Sequence, residues 1–203
     1  MKLMERLYDN IEQAKAFQVS FTNFVYFYDD VLMSDFETVI CDKCMKSVQT
    51  RDYLVPRGNC RKPTGILHSL DMGVSPELRD DLIARFEITE EDFRPVYSKK
   101  GALVYYQITP RHVMLPIGKE NEWSISSTCP YCGGVQHYMC NFTNEKKEPY
   151  YLISQEALDD MCDLNITYER CRFYRPMIII SRRVFEYLTD KYPRTHYFPL
   201  YLK

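Results

Sequence analysis

The sequence predicts an α+β fold organised as a single domain over residues 1–203. Three observations predict it. The composition, with 17 tyrosines and 11 phenylalanines against seven glycines, suits strands and a packed interior rather than disorder. Apolar positions follow a helical period in some stretches and a period of two in others. One local phrase, an apolar residue, a serine and a short helical pattern, recurs and builds repeated strand–helix–strand units.

Leu3, Met4, Leu7, Tyr8, Ile11 and Ala14 recur at helical spacing and predict an N-terminal amphipathic helix. Phe17, Val19 and Phe21 then alternate with Gln18, Ser20 and Thr22, a strand pattern that continues into the aromatic run Phe24 to Tyr28. Asp29-Asp30 marks a turn. Val39-Ile40 closes a strand from which a cysteine pair hangs. Pro56, Gly58, Pro63, Gly65 and Gly73 make the next stretch an irregular connection. Ala102 to Ile108 is a strand, and residues 143–149 an exposed turn.

The recurring phrase stands at Val74-Ser75, Ile153-Ser154 and Ile180-Ser181. Each serine is placed to cap a helix, a hydrogen bond worth about 1 kcal/mol. Apolar residues follow three positions later (Leu78, Ala157, Val184) and seven later (Leu82, Met161, Leu188), on one helix face. Pro76 at the first helical position strengthens the first case. An aromatic–proline strand follows each helix, at Phe93-Arg94-Pro95, Phe173-Tyr174-Arg175-Pro176 and Phe198-Pro199, with the proline 20, 22 and 18 residues after its serine.

Two Cys-x-x-Cys pairs, Cys41/Cys44 and Cys129/Cys132, supply the four thiolates of a tetrahedral structural zinc site. The second pair continues into Gly133-Gly134, the form of a zinc knuckle, in which Gly133 takes a left-handed conformation and turns backbone N–H groups to the sulfurs. The first pair has Met45 where that glycine would stand. With 84 residues between Cys44 and Cys129, the site would draw on about 38–62 and 120–142. Cys60, His137 and Cys140 are substitute ligands. Buried thiols without metal, or a redox pair, are the competing readings. Four thiolates close a zinc site to chemistry, so the expected role of Zn2+ is structural.

Charge narrows the partners. The net value of −2 disfavours a generally basic nucleic-acid binder. From Glu77 to Asp92 the local balance is −5, and Asp80, Asp81, Glu90, Glu91 and Asp92 form the candidate contact surface for a basic protein partner. From Glu169 to Lys203 the balance is +5, and Arg170, Arg172, Arg175, Arg182 and Arg183 interleave with Phe173, Tyr174 and Tyr187. Arginine neutralises phosphate and rings stack on bases, which makes a nucleic-acid-associated regulator the alternative reading. No stretch approaches 18 consecutive apolar residues and no secretory leader is evident, so the expected location is the cytoplasm. No phosphate-cradling, metalloprotease or serine-nucleophile motif occurs, and the four histidines are scattered, so no catalytic residue is assigned.

Cys41, Cys44, Cys129 and Cys132-Gly133, with the C-terminal phrase from Ile178-Ile179-Ile180-Ser181 through Phe198-Pro199-Leu200, resemble the double-CxxCG proteins and related immunity proteins of bacterial contact-dependent toxin systems. The resemblance implies a zinc-containing cytosolic protein that binds and neutralises a toxin and has no catalytic residues.

Overall fold

Ser75, Ser154 and Ser181 each end a strand and begin a helix. The Ser75 hydroxyl accepts a hydrogen bond from the Leu78 N–H (3.2 Å), Ser154 from Ala157 (3.1 Å) and Ser181 from Val184 (3.4 Å). Each bond satisfies one of the N–H groups that a first helical turn leaves without a partner. Leu78, Leu82, Ala157, Val184 and Leu188 are buried, as their spacing predicts. Met161 is only half-buried, because its helix has already ended.

A computed structural model describes residues 2–19, 39–41, 46–47, 66–67, 73–97, 101–133, 135–139, 142–172, 175–193 and 195–203; for some, Cys41 and His137 among them, only the backbone is described. In chain order these form α1 (Lys2–Leu7), β1 (Ala16–Val19), β2 (Val39–Cys41), β3 (Lys46–Ser47), β4 (Ile66–Leu67), β5 (Gly73–Val74), α2 (Pro76–Arg85), β6 (Phe93–Tyr97) and β7 (Leu103–Ile108). Then come β8 (Ser124–Thr128), β9 (Val135–Met139), β10 (Tyr151–Ile153), α3 (Gln155–Asp159), β11 (Leu164–Arg172), β12 (Arg175–Ser181), α4 (Arg182–Lys191) and β13 (Tyr197–Leu202). Single 3-10 turns stand at Ile11–Gln13 and Glu90–Asp92. The fold is α+β. None of the described helices is long and apolar enough to cross a membrane.

The chain groups into two compact units, Met1–Ser20 with Pro110–Lys203, and Phe21–Thr109. The first holds a five-stranded sheet in the order β10-β13-β1-β12-β11, with β10 parallel to β13 and the other neighbours antiparallel. A two-stranded β8–β9 hairpin belongs to the same unit. The second unit holds the antiparallel sheet β4-β5-β7-β6 and the short β2–β3 pair.

β1 lies at the centre of its sheet. Ala16 packs on one face with Met114, Ile117, Tyr151, Ile153, Ala157, Met177, Ile179 and Leu200. Phe17 meets Phe185 of α4 on the other face. All four β1 residues are therefore buried, Gln18 included, although Gln18 alternates with apolar neighbours. A strand covered on both faces no longer needs polar alternation.

The predicted N-terminal helix is shorter than its periodicity. α1 ends at Leu7, and only a 3-10 turn follows. The 143–149 turn meets its last carbonyls: Asn144 Nδ2 donates to the Leu7 carbonyl (2.8 Å) and Lys146 Nζ to that of Arg6 (3.1 Å). These side chains take the place of a further helical turn. Ile11 and Ala14 stay buried all the same.

The third expected feature, the aromatic–proline strand, follows α2 and α4 directly. Pro95 is the third residue of β6 and Pro199 the third of β13. After α3 the chain instead makes the β11–β12 hairpin, and Pro176 falls in its second strand. The Ser154 copy thus keeps the strand, the cap and the next strand, but its 22-residue spacing spans a hairpin.

Candidate functional site

The acidic stretch is built by α2 and the segment that leads into β6. Arg79, on the first turn of α2, sits over two rings, 4.7 Å from the centroid of Tyr106 and 5.9 Å from that of Phe93. Its guanidinium reaches outward to Asp80 (2.8 Å) and Glu90 (3.5 Å). Asp80 and Glu90 are exposed, with side chains 68% and 80% accessible, so these pairs hold geometry more than they add stability. Glu91 is exposed and Asp81 half-buried.

Asp92 corrects the expected contact surface. It is buried, and its carboxylate accepts hydrogen bonds from the Thr89 N–H (2.9 Å) and hydroxyl (3.1 Å). Thr89 and Asp92 form a capping box around the 3-10 turn. Asp92 shapes the turn that presents Glu90 and Glu91; it is not part of the exposed face. Its spacing from Thr89 is the sequence signal that separates it from its acidic neighbours.

The Cys129–Cys132 turn joins β8 to β9. Gly133 has φ +66°, the left-handed conformation expected of a knuckle glycine, and its N–H donates to the Cys129 carbonyl at 2.9 Å. Cys129 is buried and Cys132 exposed. Cys41 closes β2, as the sequence predicts. Cys44, Cys60 and Cys140 lie outside the described residues, and so do the side chains of Cys41 and His137. Among the described residues, no group of three or more His, Cys, Asp or Glu side chains converges where a metal ion would sit.

Three described residues with the chemistry for acid–base work, Asp163, Glu169 and His112, are engaged in the fold. Asp163, buried at the entry to β11, accepts both Arg183 Nε (2.6 Å) and a second guanidinium nitrogen (2.5 Å), and also the Ser181 hydroxyl (2.5 Å). Glu169 on β11 is buried, and its Oε1 accepts the Gly118 N–H at 2.5 Å. Burial raises its pKa, and the backbone N–H of Gly118 opposes that shift. No motif in the sequence marks either carboxylate, since each partner lies far away in the chain. His112 Nε2 is 3.3 Å from Asp160, whose carboxylate also accepts the Leu115 N–H. His68 lies outside the described residues.

The arginines of the nucleic-acid reading divide in the same way. One Arg182 guanidinium nitrogen donates to the carbonyls of Glu12 (2.6 Å) and Ala14 (2.8 Å), and its Nε pairs with Glu186 (2.8 Å). Arg183 grips Asp163. Lys191 Nζ lies 5.6 Å from the Tyr187 ring centroid. Phe173, Tyr174 and the side chains of Arg170, Arg172 and Arg175 lie outside the described residues.

No family model, curated protein or solved structure matches the chain.

Proposed function

We propose that the chain is a non-catalytic binding protein, an immunity protein that neutralises a bacterial toxin in the cytoplasm by direct contact. The observation that carries this reading is the acidic face of Asp80, Glu90 and Glu91, held by Arg79 and by the Asp92 cap. A preformed acidic surface complements a basic partner and speeds its encounter. The left-handed Gly133 in the Cys129–Cys132 turn supports the resemblance to the double-CxxCG proteins. A structural zinc ion on the thiolates of Cys41, Cys44, Cys129 and Cys132 belongs to the same reading. The alternative, a zinc-containing nucleic-acid-associated regulator, draws less support, because Arg182 and Arg183 are occupied within the fold.

Co-expression with a candidate toxin from a neighbouring gene, followed by pull-down and a growth assay, tests the reading. A complex and protected growth are expected. Asp80→Asn combined with Glu90→Gln and Glu91→Gln should slow association, as should added salt, and leave the circular dichroism spectrum unchanged. No complex and no protection would overturn it. Elemental analysis of protein purified without chelator tests the metal, with about one zinc per chain expected for a four-thiolate site.

A further inference from the structure

The two units contain the same module. In one, β5 leads through Ser75 into α2 and then β6; in the other, β12 leads through Ser181 into α4 and then β13. Both helices have ten residues. Both end with the N–H eleven residues beyond the serine, on Phe86 or Tyr192, bonded to the carbonyl of Leu82 or Leu188. In both, the strands before and after the helix are parallel, and an antiparallel strand lies between them, β7 in one unit and β1 in the other.

The registers agree residue by residue. Val74, Tyr106 and Pro95 lie across one rung of the first module. Ile180, Phe17 and Pro199 lie across the same rung of the second. The residue four beyond the capping serine, Arg79 or Phe185, covers the middle-strand ring of that rung and meets the first aromatic residue of the last strand, Phe93 or Tyr197. An antiparallel neighbour outside the first strand completes the match, β4 beside β5 and β11 beside β12.

The modules differ at one edge. β13 carries β10 on its outer side, parallel, with Tyr151 opposite Leu200 and Leu152 opposite Tyr201. β10 is covered in turn by Asn121, whose amide bonds both main-chain groups of Leu152. β11, at the far edge, is bridged by Val113. Both edges of that sheet are thus met by another segment, at Leu152 and at Ile166, as folded proteins blunt edges that would otherwise recruit another chain. The corresponding last strand, β6, ends its sheet, with no strand on its outer side among the described residues.

We propose that the outer edge of β6 accepts an extended segment of a partner protein as a fifth strand, parallel to β6, in the place that β10 takes beside β13. Strand addition draws its affinity from main-chain hydrogen bonds and its specificity from alternate side chains. Pro95 does not block it, because Pro199 holds the same place in the covered copy. There the Lys203 N–H donates to the Ile153 carbonyl, so the nitrogens of Pro199, Tyr201 and Lys203 all face β10. By the same alternation Tyr97 turns its N–H outward from β6. The register shift near Tyr97 places the extra residue, Val104, on β7 and leaves β6 regular. Tyr97 (50% exposed) faces Leu103 (37% exposed) across the pair and offers an apolar lip to the incoming strand. A parallel strand brings its N-terminal end towards exposed Glu90 and Glu91. The occupant is therefore a basic residue followed by alternating apolar ones. The inference stands on the repeat and does not require the partner to be a toxin.

The probe is a synthetic peptide of residues 148–155 of this chain, the segment that contains β10, added to the full-length protein. Saturating peptide should slow exchange of the Tyr97 amide about tenfold or more in a hydrogen-exchange NMR experiment. A spin label on the peptide N-terminus should broaden signals near Glu91 rather than near Tyr97. Replacing the peptide's first residue with arginine should tighten binding at low salt. Tyr97→Pro should abolish binding; the exchange data on the unaltered protein decide the matter if that variant does not fold. No change at Tyr97, or broadening that marks an antiparallel strand, overturns the proposal. Protection of Tyr97 that grows with protein concentration alone assigns the edge to a second copy and also overturns it.

Discussion

The ring of Phe185 lies flat on that of Phe17, with centroids 3.5 Å apart and planes 8° from parallel. Tyr197 meets Phe185 edge-on at 5.1 Å. This triple contact fastens α4 to the middle and last strands of its module. In the other module Arg79 fills the corresponding place, and a cation over Tyr106 replaces a ring on a ring. Phe185→Ala empties a fully buried site and should cost about 3–5 kcal/mol. Arg79→Ala should cost about 1 kcal/mol, the scale of a partly exposed cation–π contact. Urea unfolding of the two variants checks the order. Equal losses would overturn that ranking.

The serine caps should rank by their second bonds. Ser75→Ala and Ser154→Ala each remove one cap, about 1 kcal/mol. Ser181 also donates its hydroxyl to buried Asp163. Ser181→Ala should therefore lose more, about 2 kcal/mol, because a buried carboxylate loses a donor. Thermal denaturation of the three single variants shows whether Ser181 stands apart.

Gly118 is required by space rather than by backbone angle. A Cβ there would lie 2.8 Å from Glu169 Oε1 and 3.3 Å from the Trp123 ring. Gly118→Ala must push the carboxylate off the N–H that it accepts, and should cost about 1–3 kcal/mol. Fluorescence of the sole tryptophan should shift with it. An unchanged spectrum and stability would show that Glu169 moves aside freely.

His196 gives the fold a pH dependence. It stacks with Tyr8 at 6.5 Å and meets Phe198 edge-on at 5.0 Å, with Glu148 3.8 Å from its Nε2. Burial lowers its pKa, and the Glu148 carboxylate offsets part of that. The folded state thus disfavours the imidazolium. Stability from neutral His196 is complete above about pH 6.5, the ordinary histidine value, and is lost as the pH falls below it through the lower folded value. Glu169 has the opposite sign: with its pKa raised, its contribution is present at low pH and lost as the pH rises through the folded value. The urea midpoint of the unaltered protein should fall on acidification from about pH 7 to pH 5.5, and His196→Gln should flatten that slope. A slope that survives the substitution would place the titrating group elsewhere.

Features formed within one turn of chain can be read from residue spacing. The caps at Ser75, Ser154 and Ser181 join a hydroxyl to an N–H three residues on, so spacing alone predicts them. The left-handed Gly133 and the 143–149 turn are legible for the same reason. The acidic stretch was legible as charge; of the five acids named as a contact surface, Asp80, Glu90 and Glu91 are exposed, Asp81 is half-buried and Asp92 is buried. The remaining features depend on long-range packing. The insertion of β1 between β12 and β13 brings Phe17 opposite both Ile180 and Pro199, and no local pattern announces that pairing. From that insertion follow the burial of Gln18 and the stack of Phe17 on Phe185. Nothing local in the sequence sets Asp163 and Glu169 apart from other acids. They are buried because Arg183 and the Gly118 N–H, distant in the chain, supply the hydrogen bonds that make burying a carboxylate tolerable. Local hydrogen bonds are set by spacing along the chain, whereas burial and strand order are set by which distant surfaces exclude water together.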